Sequence, residues 1–127
     1  MNYLSPAEIL YIHSRLTTTL GANHGVRDVK LLKKAINYVH NNEIFPDKYS
    51  KTAALLFTIA RKKPFIDSNA PTAFMAVQIF LQNNGINFDI SNPEVSAFNK
   101  IFLPTAKLEE IKNFISQNSL PIKDLQS

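Results

Sequence analysis

Apolar residues recur at helical spacing along most of this chain of 127 residues. A first helix is predicted after Ser5, because Pro6 suits a first helical position and Glu8 completes a capping box with Ser5. Its apolar face consists of Ile9, Ile12, Leu16 and Leu20. Gly21 ends this helix, since glycine readily adopts the left-handed conformation found just beyond a helix C-terminus.

A second helix is predicted after the glycine-containing loop at positions 21–25. Asp28 can cap it, and the apolar residues that follow at helical spacing are Leu31, Leu32, Ala35, Ile36 and Val39. The asparagines at 41–42 close the helix. The next segment, 43–49, contains Pro46 and is predicted to be a loop or a short hairpin.

The two most apolar helices are predicted to flank a single loop. Ser50 can cap the third helix, which is apolar almost all round as far as Ile59, and a helix of that kind is buried at the centre of a protein. The loop covers 62–69, and a fourth apolar helix follows from about Ala70 to Asn83. This arrangement places the loop at one end of a buried helix pair.

The last third of the chain predicts three shorter elements. They are an extended piece at 86–90, a fifth helix that opens at Pro93 and ends at Pro104, and a last helix from Leu108 to about Gln117. The sequence therefore predicts an all-α fold of about six helices. No repeat, low-complexity tract or flexible linker divides the chain, so we expect one domain over residues 1–127.

Composition narrows the class of protein. Lysine and arginine number 14 against 10 acidic residues, a formal charge of +4, and cysteine is absent, which excludes disulfides and thiolate chemistry. The basic residues are not interleaved with aromatic residues and form no nucleic-acid-binding motif, so we expect no nucleic-acid partner. The sequence shows no signal peptide and no apolar run long enough for a bilayer, so we expect a cytoplasmic protein without a membrane partner.

The three histidines lack metal-ligand spacing. His13 lies near the apolar face of the first helix and is expected to be a packed or hydrogen-bonded core residue. His24 lies in the glycine-containing loop and is expected to be exposed. His40 ends the second helix, where a cationic imidazole suits the helix dipole.

The loop between the two apolar helices has a distinctive sequence. Positions 63–73 read K-P-F-I-D-S-N-A-P-T-A. This segment resembles the H-x-F-x-[DE]-x-N-[GK]-R-[TA] signature of the Fic/Doc family, and the matching residues are Phe65, Asp67, Asn69, Thr72 and Ala73. Members of that family move a phosphoryl or nucleotidyl group from a nucleoside triphosphate to a protein hydroxyl.

The similarity extends beyond the loop. The start of the chain, L-S-P-A-E-I-L at 4–10, and the segment G-V-R-D at 25–28 resemble the death-on-curing (Doc) branch of the family, as does L-x-x-N-G at 81–85. Together these matches cover about residues 3–103. The resemblance implies the Fic/Doc helical bundle, in which the active loop lies over the N-terminus of the second helix of a central pair and receives a triphosphate there.

Three departures from the signature are chemically important. Lys63 stands where the family has its catalytic histidine, Ala70 where it has glycine or lysine, and Pro71 where it has the phosphate-binding arginine. An ammonium group has no acceptor for the proton of a target hydroxyl, so Lys63 is predicted to be inactive as a general base. Proline supplies neither the guanidinium fork nor a backbone N–H. The motif is therefore degenerate.

The resemblance implies roles for four other loop residues. Asp67 would hold a magnesium ion, Asn69 and Ser68 would contact the phosphates of the nucleotide, and Phe65 would anchor the loop in the core. The residues themselves leave an alternative open, in which Asp67 and Asn69 only cap the fourth helix and fix the turn of the loop.

Three hypotheses for function follow. The first is a pseudo-enzyme of a toxin–antitoxin system that retains an antitoxin-like protein partner. The second is an active phosphotransferase or nucleotidyltransferase (AMPylator), in which Asp67 and Asn69 hold Mg²⁺ and a nucleoside triphosphate, Lys63 or Arg61 supplies the missing charge, and a protein hydroxyl is the target. The third is a purely structural helical domain with an unrelated partner.

Overall fold

The computed structural model describes residues 1–90 and 99–125 and is mainly helical. The helices are α1 (Pro6–Leu20), α2 (Val29–Val39), α3 (Lys48–Lys62), α4 (Asn69–Asn83), α5 (Leu108–Gln117) and α6 (Ile122–Leu125), and the strands are β1 (Ile86–Phe88) and β2 (Ser119–Pro121). The predicted all-α fold class is confirmed. Among the described residues, no helix is both long and apolar enough to cross a membrane.

Contacts between neighbouring residues define the ends of the first two helices. The Ser5 hydroxyl accepts a hydrogen bond from the Glu8 N–H (3.2 Å), and the Glu8 carboxylate accepts one from the Ser5 N–H (3.0 Å). Gly21 ends α1 with a left-handed φ of 67°. Asp28 caps α2 by accepting from the Leu31 N–H (3.0 Å). These observations confirm the predicted boundaries of α1 and the predicted start of α2.

The prediction that Ser50 caps the third helix is wrong. The helix begins at Lys48, and its N-cap is Asp47, whose carboxylate accepts from the Ser50 N–H at 2.8 Å. The Ser50 hydroxyl accepts in return from the Asp47 N–H at 3.1 Å, so Ser50 is the second half of a capping box. Lys48 and Tyr49 consequently belong to the helix, and the segment at 43–46 is a turn without strands.

Helix α3 lies at the centre of the packing, as predicted. It contacts α2, α4 and α5, and its residues 51–56 are all buried. Helix α4 buries Thr72, Ala73, Ala76, Val77, Phe80 and Leu81. Because both helices of the pair are covered by neighbouring elements, the loop that joins them is attached at both ends to the rigid part of the fold.

A buried lysine fixes the C-terminal end of α2. Lys51 is 1% exposed, and its ammonium group donates to the Val39 carbonyl (2.9 Å) and lies 5.5 Å from the centre of the Tyr3 ring. The His40 ring stacks on the Tyr3 ring with the centroids 3.7 Å apart, and His40 forms the C-cap of α2, one residue before the predicted asparagines. The two basic residues therefore both lie near the carbonyl end of the helix, where positive charge is favoured.

The C-terminal part of the chain adds a small sheet to the bundle. Strand β1 is the extended piece predicted at 86–90, and it pairs antiparallel with β2, which was not predicted; Ile86 lies opposite Pro121. The ring of Phe88 packs edge-on against Phe114 of α5, with centroids 6.3 Å apart. The sheet thereby links the end of α4 to α5.

The predicted last helix is confirmed as α5, and α6 was not predicted. Residues 93–98 of the predicted fifth helix lie outside the described residues. Within the described part, Asn99 and Lys100 are helical, and the chain turns before Pro104. Ile101 of this segment is buried in the core.

Candidate functional site

The loop at 63–68 joins the central helices through two unusual backbone conformations. Lys63 is the C-cap of α3 with a φ of 53°, and Ser68 occupies the N-cap of α4 with a φ of 62°. They are the non-glycine residues with positive φ in the described ranges 1–90 and 99–125. The left-handed conformation costs an L-residue roughly 1–2 kcal/mol, so contacts around the loop must hold both residues in place.

Phe65 is the aromatic residue of the loop, and it is buried against a histidine. It is 1% exposed, and its ring stacks on the ring of His13 at 3.8 Å with an angle of 8° between the planes. The Nε2 of His13 donates a hydrogen bond to the Asp67 carbonyl oxygen at 2.9 Å. His13 is therefore the hydrogen-bonded core residue that the sequence predicted, and it joins α1 to two positions of the loop.

The side chain of Asn69 bonds to the loop backbone. Its Nδ2 donates to the Phe65 carbonyl at 2.9 Å, and its Oδ1 accepts from the Phe65 N–H at 3.0 Å. Both polar groups of the amide thus have partners on one residue. This geometry matches the alternative in which Asn69 fixes the turn of the loop.

A backbone segment before α2 pairs with the loop. Val26 and Phe65 form an antiparallel bridge, and the Ile66 N–H donates to the Gly25 carbonyl at 3.0 Å. The Pro64 carbonyl accepts from the N–H groups of Arg27 (2.8 Å) and Asp28 (2.9 Å). The glycine-containing segment therefore acts as a short second strand for the loop.

Arg27 is a site residue whose role could not be predicted from the sequence. Its Nε donates to the Lys63 carbonyl at 2.7 Å, and its Nη2 donates to the Lys62 carbonyl. These are carbonyls at the C-terminus of α3, which lack partners within the helix. Arg27 belongs to the G-V-R-D segment that carries the family resemblance, but nothing local indicated a partner 36 residues away.

The N-terminus of α4 keeps part of an anion-binding arrangement. Its N-cap is Ser68, which makes no side-chain capping bond. The Asp67 carboxylate is bonded to the Asn23 N–H and the Asn69 amide to Phe65, so the capping part of the alternative proposed for Asp67 and Asn69 is wrong. Among the described residues, nothing accepts from the N–H groups of Ser68, Asn69 and Ala70, and Pro71 has no N–H. Free N–H groups at a helix N-terminus favour an anion, and proline has removed one of them.

The two charged residues of the loop are exposed and unequally held. The Asp67 carboxylate accepts from the Asn23 N–H at 3.3 Å. The Lys63 ammonium has no carboxylate within salt-bridge distance in the described part of the chain. There too, no group of three or more metal-ligating side chains occurs. A single carboxylate such as Asp67 fits magnesium, which is usually bound by one or two carboxylates together with water and substrate phosphates.

Comparison with known proteins gives two consistent matches. The sequence model of the Fic/DOC family matches residues 3–81, a span that includes α1, α2, α3 and the loop. "Toxin Doc" from Mycolicibacterium smegmatis (strain ATCC 700084 / mc(2)155) is 32% identical to this chain over 100 residues, which cover 72% of this chain and 75% of that protein.

Proposed function

This chain belongs to the Fic/DOC family, and from that premise we propose that it is a toxin-type member that binds an antitoxin-like protein but does not transfer phosphoryl or nucleotidyl groups. One observation carries the proposal. Side chains of Arg27, His13 and Asn69 hold the loop in shape, while Lys63 and Pro71 stand at the signature's histidine and arginine. The support of the loop is retained and its two reactive groups are replaced.

Lys63 cannot replace the histidine as a general base. A base must accept the proton of the target hydroxyl, and an ammonium group has three donors and no acceptor. No carboxylate among the described residues lies near enough to take a proton from Lys63. Its exposed side chain is suited instead to contact with an anion.

The phosphate site is weakened in three ways. Proline at 71 lacks the planar guanidinium that would bind phosphate oxygens in a bidentate manner, and it also lacks an N–H. The amide of Asn69, which the resemblance assigns to a phosphate, bonds to Phe65. The groups that remain for a triphosphate with its magnesium ion are the N–H groups at 68–70 and the positive charge of Lys63 for the phosphates, and the Asp67 carboxylate for the metal.

A groove between α1 and α4 supports the partner-binding half of the proposal. It has a volume of about 330 Å³ and is lined by Leu4, Ala7, Glu8, Tyr11, Ile12 and Ile79. Tyr11 is 65% exposed, although it lies among apolar neighbours. An amphipathic helix of a partner binds in grooves of this kind through its apolar face. An antitoxin-like protein is the partner that the family resemblance suggests.

The catalytic half is tested by restoring the signature. Titration calorimetry of the unmodified chain with Mg-ATP and Mg-CTP should give binding no tighter than about millimolar. The double variant Lys63→His with Pro71→Arg should bind nucleotide, transfer labelled phosphate and arrest growth, whereas each single variant should not. Transfer by the unmodified chain would instead establish the active transferase of the second hypothesis.

The partner half is tested by co-purification with the product of a neighbouring short open reading frame. The substitution Tyr11→Glu places a charge in the α1–α4 groove and should abolish the complex. Tyr38→Glu is the matched control, because Tyr38 is also an exposed tyrosine (47%) but lies on α2. Equal loss of the complex in both variants, or retention in both, would remove the groove from the proposal.

A further inference from the structure

A second cavity lies beside the start of the loop and is separate from the N-terminus of α4. Its volume is about 360 Å³, and it is an open pocket lined by the C-terminal half of α3, by Lys63 and by residues 101–104. Phe57, Ala60, Ile101 and Phe102 contribute apolar walls. Cavities that hold small molecules have volumes of roughly 300–1,000 Å³ and are lined mainly by apolar side chains with a few polar groups.

The polar groups of this cavity are both cationic. Arg61 and Lys63 line it, and no acidic residue occurs among its described lining residues. In the described ranges 1–90 and 99–125, neither cation forms a salt bridge. The cavity therefore presents unneutralised positive charge next to apolar surface.

Arg61 is held in a fixed orientation with donors to spare. Its guanidinium carbon lies 4.4 Å from the centre of the Phe57 ring, and its Nη2 donates to the carbonyls of Ala106 (3.2 Å) and Leu103 (3.5 Å). A guanidinium also carries N–H donors on Nε and Nη1. Within the described part of the chain, no group accepts from these two nitrogens. A preorganised guanidinium with free donors is suited to bidentate binding of a carboxylate or a phosphate.

Lys63 adds a second charge whose position is set by its backbone. Its N–H donates to the Ile59 carbonyl at 3.1 Å, and its own carbonyl accepts from Arg27. These bonds hold the left-handed residue at the rim of the cavity. Because Lys63 is also the first residue of the loop, a ligand in the cavity would contact the point at which the loop leaves α3.

We propose that this cavity is a binding site for a small organic anion, with an aromatic or other apolar body and a carboxylate or phosphate group. The anionic group bonds to Arg61 and Lys63, and the body packs on Ile101 and Phe102. Asp67, Asn69 and the N-terminus of α4 do not line the cavity. The cavity shares Lys63 with the phosphate-binding groups that remain in the loop, but the inference does not require the loop to transfer phosphoryl groups.

The experiment uses phenyl phosphate and benzoate as probes of the two anionic groups, and monitors backbone amide shifts by NMR in the full chain. Saturable shifts are expected at Ala60 and Leu103 with at least one probe. Inorganic phosphate and benzyl alcohol, which each carry half of the proposed chemistry, should bind at least about tenfold more weakly, a difference of about 1.4 kcal/mol.

Two variants test the proposed site by different means. Arg61→Gln removes the fixed charge, and Ala60→Leu fills the cavity while leaving both cations in place; each should weaken binding about tenfold or more. Arg15→Gln removes a comparable exposed charge on α1 and should leave binding unchanged. If Arg61→Gln unfolds the segment after residue 100, the Ala60→Leu result still decides the question.

The proposal is overturned if neither phenyl phosphate nor benzoate gives saturable shifts at millimolar concentration. It is also overturned if inorganic phosphate binds as well as phenyl phosphate, because the apolar wall would then contribute nothing. Equal binding by Arg15→Gln and Ala60→Leu would likewise show that the ligand lies elsewhere on the surface. Preference between the two probes identifies which anionic group the site takes.

Discussion

Single residues of the loop combine an unfavourable backbone with favourable contacts. Lys63 adopts a left-handed φ of 53°, a conformation in which glycine is preferred just beyond a helix C-terminus. Its carbonyl is nevertheless bonded to Arg27, and Phe65, two residues later, is stacked on His13. We infer that the conformation of Lys63 is imposed by these neighbours and not by any preference of lysine.

Replacement of Lys63 by glycine should therefore stabilise the fold. Glycine relieves roughly 1–2 kcal/mol of left-handed strain, partly offset by its greater freedom in the unfolded chain, so the free energy of unfolding should rise by about 0.5–1 kcal/mol. Urea denaturation measures this change. The matched control is Lys62→Gly, one residue earlier in α3, which should lower the free energy of unfolding by about 0.5–1 kcal/mol. A decrease in both variants would mean that the Lys63 side chain itself stabilises the structure.

Asn69 makes a larger contribution to the order of the loop. The substitution Asn69→Ala removes both hydrogen bonds to Phe65 and leaves a part-buried N–H and carbonyl without partners, which should cost about 1–3 kcal/mol. Chemical denaturation gives the loss of stability, and hydrogen exchange at the Phe65 amide should accelerate. Asn37→Ala, at an exposed position of α2, is the control and should be close to neutral. Unchanged exchange at Phe65 would show that Asn69 does not hold the loop.

Helix α3 depends at its start on a charged cap. Partial burial alone would raise the pKa of the Asp47 carboxyl, but hydrogen bonds from the Ser50 N–H and the ammonium of Lys112 outweigh it and hold that pKa below its ordinary value. The oxygens of Asp47 accept from Ser50 at 2.8 Å and lie 3.6 Å from Lys112. A group whose pKa is lower in the folded state stabilises the fold above its unfolded pKa, and this contribution is lost as the pH falls through the folded pKa.

Asp47→Ala should lower the free energy of unfolding by about 1 kcal/mol at neutral pH, because it removes the cap. The difference from the unmodified chain should shrink as the pH falls below about 4, where the wild-type carboxyl becomes protonated. Thermal unfolding across this pH range measures both effects. Asp47→Asn keeps an acceptor oxygen without the charge, so it should retain most of the stability and lack this pH dependence. A pH-independent cost for Asp47→Ala would contradict the role of the charge.

Local signals explain which elements could be predicted from the sequence. The ends of α1 and the start of α2 depend on contacts within three or four residues, as at Ser5 and Asp28, and these were predicted. The N-cap of α3 was predicted at the wrong residue because Asp47 and Ser50 are both competent caps. Only the structure shows that Asp47 is the N-cap and Ser50 the third helical residue. Strand β2 is three residues long and contains Pro121, so it has no recognisable pattern without its partner β1.

The position of the loop could be predicted from the sequence, but its contacts could not. The signature identified Phe65, Asp67 and Asn69, since these positions match in type and spacing. The bonds that hold them cross long separations, 54 residues from His13 to the Asp67 carbonyl and 35 from Arg27 to Lys62. Such pairs depend on how α1, α2 and α3 pack, which periodicity alone does not fix.

The hydrophobic core of the molecule includes residues beyond the region that the family model matches. That match ends at residue 81, yet Ile111, Phe114 and Ile115 of α5 are buried against the same central helix α3. The loop is attached to the C-terminal end of α3, whereas α5 covers the side of that helix. We therefore expect loss of packing at α5 to destabilise the loop, although no residue of α5 belongs to the candidate site.

Ile115→Ala tests whether the chain folds as a single cooperative unit. Ile115 is fully buried, so its truncation should lower the free energy of unfolding by about 2–5 kcal/mol, and hydrogen exchange at Phe65 should accelerate together with exchange in α5. Leu120→Ala is the control, because Leu120 is 55% exposed and its truncation should cost no more than about 0.5 kcal/mol. If Ile115→Ala loosened α5 while the loop kept its protection, the tail would be an independent unit, and the one-domain expectation for residues 1–127 would be wrong. If exchange at Phe65 and in α5 accelerated by the same factor, the loop and α5 would unfold together, and the stability of the candidate site would depend on the entire core.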